Sequence, residues 1–249
     1  VGRGNQRTSE KVLIYGAGKI GKSTLAALVS EVGLKPCFVD IGDSTSHLDV
    51  DRFDPNPTNY AELRAALQRP EFFDPYQVIV LDDMTTAEEM ALAHVLSTKV
   101  VDGRRAEGIE DYGWAKGYVY VFEACLAILA DLDALARRGK HVVVISHVMV
   151  ESVKNPDGTD WQQYQPRLRQ NKNAQFRSRC LEWAYHCLFI SMDTFVGKGG
   201  KATGSSRSIH TSPTATHWAG SRMRIPEVIP YPDNDDYARF WRLLFGLVE

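Results

Sequence analysis

Short apolar runs alternate with stretches whose apolar residues recur every three or four positions, and this alternation organises the chain from residue 11 onward. "KVLIY" (11–15) reads as a first strand. Beyond a glycine-rich turn, Leu25, Leu28, Val29 and Val32 share one helical face, and Gly33 stops the helix. "PCFVDI" (36–41) predicts a second strand. A helix over 60–69 carries Tyr60, Leu63 and Leu67 inward and ends at Pro70. "YQVIVLDD" (76–83) is apolar nearly throughout, as a strand covered on both faces would be. A long helix follows at about 116–138, with Tyr118, Val121, Phe122, Cys125, Leu129 and Leu132 facing inward and Gly139 closing it. "HVVVISH" (141–147) and "YHCLFISM" (185–192) give a fourth and a fifth strand. Such alternation predicts an α/β fold, a parallel sheet with helices on both faces.

Beyond residue 193 the texture changes. "GKGGKATGSSRS" predicts a hairpin tip or mobile loop, "PEVIPYPDNDD" a proline-rich turn, and "DYARFWRLLFGLV" a closing amphipathic helix capped by Asp235 or Asp236. No repeat and no clear linker divides the chain. The reading is a flexible lead-in over 1–10 and a single domain over 11–249.

Composition adds boundaries. At 249 residues, with 44% hydrophobic and 24% charged content, the chain is long enough to bury a substantial core. A net charge of −2 means that any nucleic-acid site must be a local patch. Cys37, Cys125, Cys180 and Cys187 form no CxxC pair and lie among apolar residues, which predicts buried free thiols. No apolar run approaches the roughly 20 residues of a membrane helix, and the first ten residues lack a signal-peptide core. The expectation is a cytoplasmic protein that does not engage a membrane.

Candidate chemistry concentrates first at residues 16–24. Gly16, Ala17, Gly18, Lys19, Ile20, Gly21, Lys22 and Ser23 fit GxxxxGK[ST] without a mismatch, between a predicted strand and a predicted helix, and Thr24 follows. Glycines let the backbone N–H groups curl inward, and the helix dipole adds to them. Lys22 is suited to bridge the β- and γ-phosphates, and the Ser23 hydroxyl to hold Mg²⁺. Lys19 is an extra cation without an assigned catalytic role. Asp82, at the end of an apolar strand, is the second Mg²⁺ holder, through water. Asp83 either orients the attacking water or caps the next segment. Asp40 and Asp43 offer a further carboxylate, and His147 is placed to sense the γ-phosphate.

A second concentration lies between Trp161 and Leu181, where Arg167, Arg169, Lys172, Arg177 and Arg179 meet no acidic residue, a local +5 in a chain of −2. Trp161, Tyr164 and Phe176 interleave with them. Cations that track a phosphodiester backbone and rings that stack on bases are the recipe for single-stranded nucleic acid, although a solvated basic helix face accounts for the same composition. A weaker patch spans 99–116, with Lys99, Arg104, Arg105, Tyr112, Trp114 and Lys116 among acidic neighbours.

These segments, together with "DYGWAKGYVYVFEACLAILADL", "GKHVVVISHV" and "WAGSRMRIPEVIP", resemble the phage nucleotide-binding AAA-type family with a RecA-like core, over roughly residues 10 to 232. Only the phosphate loop is a highly specific motif. The resemblance implies a P-loop NTPase with a RecA-like, mostly parallel sheet flanked by helices, binding ATP and Mg²⁺. It also implies association of copies in a ring or filament with nucleotide near their interface, and loops that face DNA. Lys22, Ser23 and Thr24 carry over as phosphate and Mg²⁺ residues, Asp82 as the acid of the third strand, and His147 as the sensor. The basic segment falls where the second DNA loop of RecA-like proteins lies. Two departures stand out. Gly42 occupies the place of the family's second-strand glutamate, leaving Asp43 as substitute and implying slow hydrolysis. Of a Lys-x-Arg element that reaches a neighbour's ATP, only Arg222 survives, with Arg224 nearby. The leading reading is an ATPase that binds single-stranded DNA in recombination or strand annealing, with a single-strand-binding protein as a further partner. The alternatives are a small-molecule P-loop kinase with a basic lid, and an ATP-gated scaffold with little turnover.

Overall fold

A computed structural model describes residues 9–101, 103–113, 115–196, 202–232 and 237–247. Six strands run parallel: β1 Lys11–Gly16, β2 Pro36–Asp40, β3 Asp51–Arg52, β4 Val78–Asp82, β7 His141–Val153 and β9 His186–Val196. Their order across the sheet is β9–β1–β7–β4–β2–β3. Beyond β9 the sheet turns antiparallel through β10 Ala202–His210 and β12 Val228–Pro230. A short hairpin, β5 Val100–Val101 with β6 Arg104–Arg105, stands apart, and β11 Gly220–Ser221 edges the start of β9.

Helices cover both faces, as the unbroken apolar runs of the central strands require. Alternate residues divide cleanly. Leu13, Tyr15, Val39, Ile79, Leu81, Val142 and Val144 pack with α2 Tyr60–Leu67, α3 Met84–Thr98 and α4 Lys116–Arg137. Val12, Ile14, Phe38, Val80, Val143 and Ile145 pack with α1 Lys22–Ala27 and α6 Tyr237–Phe245. Trp241 of α6 is fully buried, and its Nε1 donates to the Leu25 carbonyl of α1 at 2.8 Å. All four cysteines are buried free thiols.

Several elements differ from the sequence reading. The first helix is α-helical only to Ala27 and continues as a 3-10 turn over Leu28–Val32, with Gly33 at φ 77 ending it. Pro70 opens a 3-10 turn of its own after the end of α2. The fourth strand does not stop at His147: β7 runs on to Val153 and pairs there, antiparallel, with β8 Trp161–Pro166. The helix α3 was not anticipated. Its buried stripe is Met84, Ala87, Ala91 and Val95, in which the two central alanines give a weak amphipathic signal. Residues 1–8 of the lead-in, Trp114, residues 197–201 and the capping Asp235 and Asp236 lie outside the described residues.

Candidate nucleotide site

The strand order brings the chemistry together. With β7 lying between β1 and β4, the ends of three parallel strands converge: Gly16 pairs with His147, and Asp82 follows Leu81, which pairs with Val144. Ligands of open α/β sheets lie at this carboxyl edge.

The loop leaving β1 is built by its glycines where the space demands them. A Cβ at Gly16 would stand 2.7 Å from the Ile190 carbonyl oxygen, and Gly21 holds φ 104. Lys19 also adopts a positive φ of 62, and its side chain is exposed at the cavity edge. Ile20 buries its side chain in the core, so it offers the site only backbone. Gly21 caps α1 without a side-chain hydrogen bond, and the first turn holds no acidic residue. The N–H groups of that turn are therefore left to an anion, whose charge the helix dipole favours.

Lys22 is 7% exposed and donates to the Gly16 and Ala17 carbonyls at 3.1 and 2.8 Å. Burial pushes its ammonium down from the ordinary range, while Asp82 and Asp83 oppose that shift. The Ser23 and Ser44 hydroxyls donate to the same oxygen of Asp82, Oδ2, at 2.5 and 2.8 Å. Asp82 is buried, which raises its carboxyl, and the two hydroxyls pull in the other direction. Asp83 accepts from the Thr86 N–H at 2.9 Å as the N-cap of α3, and its Oδ2 stands 3.5 Å from His147 Nε2. It thus fills one of the two roles the sequence left open, capping a helix, and it also faces the cavity. Burial lowers His147 from its usual range, against the pull of Asp83. Thr85 accepts from the His147 N–H at 3.1 Å and shares a hydrogen bond with the Ser146 hydroxyl, which fixes the backbone at His147.

Lys22, Ser23, Ser44, Asp82, Asp83 and His147 line a cavity of about 510 Å³, together with Lys19, Gly21, Thr24, Asp43, Ser46 and His47. A buried cation, a glycine cradle with an uncapped helix start, and a carboxylate bound to the loop serine fit a magnesium-bound polyphosphate. Among the described residues no cluster of three or more His, Cys, Asp or Glu is arranged to hold a metal.

The carboxylates of the second strand take different parts. Asp40 is engaged by its own loop: its Oδ1 accepts from the Ser44 N–H at 3.1 Å, and its Oδ2 from the N–H and hydroxyl of Thr45. Asp43, with φ 50, sits exposed at the cavity mouth. A Cβ at Gly42 would lie 3.8 Å from Asp83 Oδ2. Asp83 therefore reaches the space beside the position where a second-strand glutamate is expected.

Arg222 is not part of this chain's own site. It follows β11, which pairs with Cys187 and His186 at the start of β9, whereas the phosphate loop lies at Ile190. Its guanidinium donates to the Glu182 carbonyl at 3.0 Å and lies over the Tyr185 ring.

The basic segment is a loop only over residues 167–175, between β8 and a helix that starts at Phe176, and its groups fare unequally. Phe176 begins α5 Phe176–Trp183 and is 1% exposed, so it cannot stack on a base. Arg177 is buried as well, paired with Glu151 of β7. Arg169 is half-buried near Glu88 of α3, whose two oxygens accept its backbone N–H at 3.0 and 3.1 Å. Trp161 is only partly exposed at the end of β8. Arg179 pairs with Glu182 at the surface. Arg167, Lys172 and Tyr164 remain exposed, with Arg167 in a loose 3.9 Å contact to Glu89. In the weaker patch Tyr112 is buried, its hydroxyl bound to the Val95 carbonyl at 3.0 Å. Sequence reasoning missed Ser44, Thr85 and Glu88. Ser44 alone had a local signal, the polar run "GDSTS" that ends the second strand.

A family model described as an AAA domain matches residues 8–223. No curated protein sequence matches the chain. Among solved structures, the chain is similar to a KaiC-like protein from the hyperthermophilic archaeon Pyrococcus horikoshii OT3, at 11% identity over 91% of each chain with a TM-score of 0.48. Among the described residues no helix is long and apolar enough to cross a membrane.

Proposed function

This chain belongs to the AAA domain family, and from that premise we propose that it binds ATP with Mg²⁺, hydrolyses it slowly, and couples the occupied site to single-stranded DNA. The observation that carries the ATPase reading is the convergence of Lys22, Ser23, Asp82, Asp83 and His147 on one cavity. Bound Mg²⁺ and triphosphate supply the scissile phosphoanhydride and neutralise its charge. The chain supplies the rest. The loop N–H groups and Lys22 would bind phosphate oxygens, while Ser23 and Asp82 would hold the metal. Asp83 accepts a hydrogen bond from the attacking water and orients it. His147, whose Nε2 stands 3.5 Å from Asp83 Oδ2, offers a hydrogen bond to the same space.

The test is phosphate release by two variants. Asp83→Asn keeps the helix cap and is expected to lower turnover about 100-fold or more with ATP affinity little changed. Asp43→Asn is expected to stay within about threefold of the wild type. The reverse pattern would transfer the water-orienting role to Asp43.

The DNA reading is narrower than the composition of residues 161–179 suggested. What supports it is the exposure of Arg167, Lys172 and Tyr164, and a hydrogen bond of 2.8 Å from the Arg167 N–H to the His147 carbonyl. The segment thus passes, at Arg167, one hydrogen bond away from His147 of the nucleotide site. Association of copies would bring Arg222 of one to another. Affinity for a labelled single-stranded oligonucleotide should fall steeply with salt, and Arg167→Ala should reduce that slope by about one. Absence of binding with ATP present, or binding that salt does not weaken, removes DNA from the reading and leaves the ATPase.

A further inference from the structure

Two side chains from the last quarter of the chain hold the phosphate loop by its carbonyl groups. Arg207, in β10, donates from Nη1 to the Ile20 carbonyl at 2.9 Å. Tyr231, just past β12, donates from its hydroxyl to the Gly21 carbonyl at 2.7 Å. The two act as one unit. The Arg207 guanidinium lies 3.8 Å from the centre of the Tyr231 ring, and the Tyr231 N–H donates to the Arg207 carbonyl at 2.8 Å. Neither side chain lines the nucleotide cavity, although Gly21 and Lys22 do.

A trans peptide is planar, and its C=O and N–H point in opposite directions. A donor that fixes the Ile20 carbonyl on the outer side therefore turns the Gly21 N–H the other way. The bond to the Gly21 carbonyl does the same for the Lys22 N–H. That carbonyl also accepts from the Leu25 N–H at 2.8 Å, so both of its lone pairs are engaged. Gly21 and Lys22 stand at the junction of loop and helix, where a GxxxxGK[ST] backbone meets phosphate. A charged donor on the carbonyl also polarises the peptide and strengthens its N–H as a donor.

We propose that Arg207 and Tyr231 are positioning residues that set the two peptide planes presented to the triphosphate, and so govern nucleotide affinity. This rests on the nucleotide-binding reading above. It also gives Gly21 a second reason to be glycine: a Cβ there would stand 2.5 Å from the Tyr231 hydroxyl and 2.6 Å from Arg207 Nη1.

The experiment measures binding of a fluorescent ATP analogue with Mg²⁺, the KM and kcat of phosphate release, and thermal stability. The proteins are the wild type, Tyr231→Phe, Arg207→Gln, Arg207→Lys and Lys22→Ala. Tyr231→Phe keeps the ring under the guanidinium and removes only the hydroxyl. It is expected to raise Kd and KM about 3- to 10-fold, the worth of one hydrogen bond, with kcat changed less than twofold. Arg207→Gln is expected to weaken binding at least as much, and Arg207→Lys, which keeps a cationic donor, to recover most of it. Wild-type affinity in both Tyr231→Phe and Arg207→Gln, with binding lost in Lys22→Ala, overturns the proposal and leaves the nucleotide reading standing. A fall in melting temperature with unchanged affinity also overturns it, since the pair would then only brace the fold. If the wild type itself does not bind the analogue, the nucleotide reading falls and this proposal with it. Should Tyr231→Phe not fold, the contrast between Arg207→Gln and Arg207→Lys decides the matter.

Discussion

The loop at 16–24 and the segment at 161–179 are both cationic, yet they use their charges in opposite ways. Lys22 is buried among backbone carbonyls, with Asp82 and Asp83 close enough to act on its charge, in a cavity suited to an anion. Arg169 and Arg177 are drawn to Glu88 and Glu151 of the same chain, and Phe176 lies in the core beside them. One region keeps its charge for a ligand, and the other spends much of it on holding α3, β7 and α5 together. A count of cations cannot separate the two cases. What separates them is which carboxylates the tertiary structure brings within reach.

The largest expected effect lies at the loop. Lys22→Ala should abolish measurable ATP binding, a loss of at least about 100-fold, while the melting temperature stays close to that of the wild type. Next comes Arg177→Ala, which should lower folding stability by about 2–4 kcal/mol, through the lost ion pair and packing, with ATP affinity intact. Denaturant unfolding beside nucleotide titration reads both. Equal effects on both readouts for both variants would erase the contrast between the regions.

Glu88 gives a smaller effect with a definite pH window. Burial pushes its carboxyl up from 4.5 to about 7, against the opposing bond from the Arg169 N–H. Between those values the folded protein retains a proton that the unfolded chain has released, so stability falls as pH rises through the window. Below 4.5 both states hold the proton, and above about 7 both have lost it. Glu88→Gln cannot ionise and should remove a decline on the order of 2–3 kcal/mol between pH 5 and pH 8. Thermal melts at the two pH values check this, and an unchanged slope would place the proton elsewhere. The smallest effect belongs to Lys172, which is exposed and makes no ion pair among the described residues. Lys172→Ala should leave stability within about 0.5 kcal/mol and reduce the salt slope of oligonucleotide binding by about one.

What could be read in advance follows the same division. Five of the six parallel strands, the phosphate loop and Asp82 were legible because each is specified locally, by an apolar run or by a motif whose chemistry is carried by the backbone, whereas the polar strands β8 and β10 were not. The helix α3 was not. It packs beside both α2 and α4, and its stripe of Ala87, Ala91 and Val95 lacks bulk. Missing it hid Glu88, which accepts from the Arg169 N–H, and Glu89, in loose contact with Arg167. The continuation of β7 past His147, which brings Glu151 to Arg177, was hidden as well. Arg207 and Ile20 are 187 positions apart, a separation across which no local pattern operates. The place of Arg222 at the far end of β9 follows from pairing, not from its neighbours in sequence.

The length of β7 has a mechanical consequence. Its 13 residues extend for roughly 40 Å, and His147 sits near the midpoint. The first half is clamped between β1 and β4, and the second carries β8 outward as a two-stranded arm. With no turn between the halves, the arm cannot swivel on its own. A tilt imposed at His147 would travel along the continuous strand and be greatest at its tip, near Val153 and Trp161.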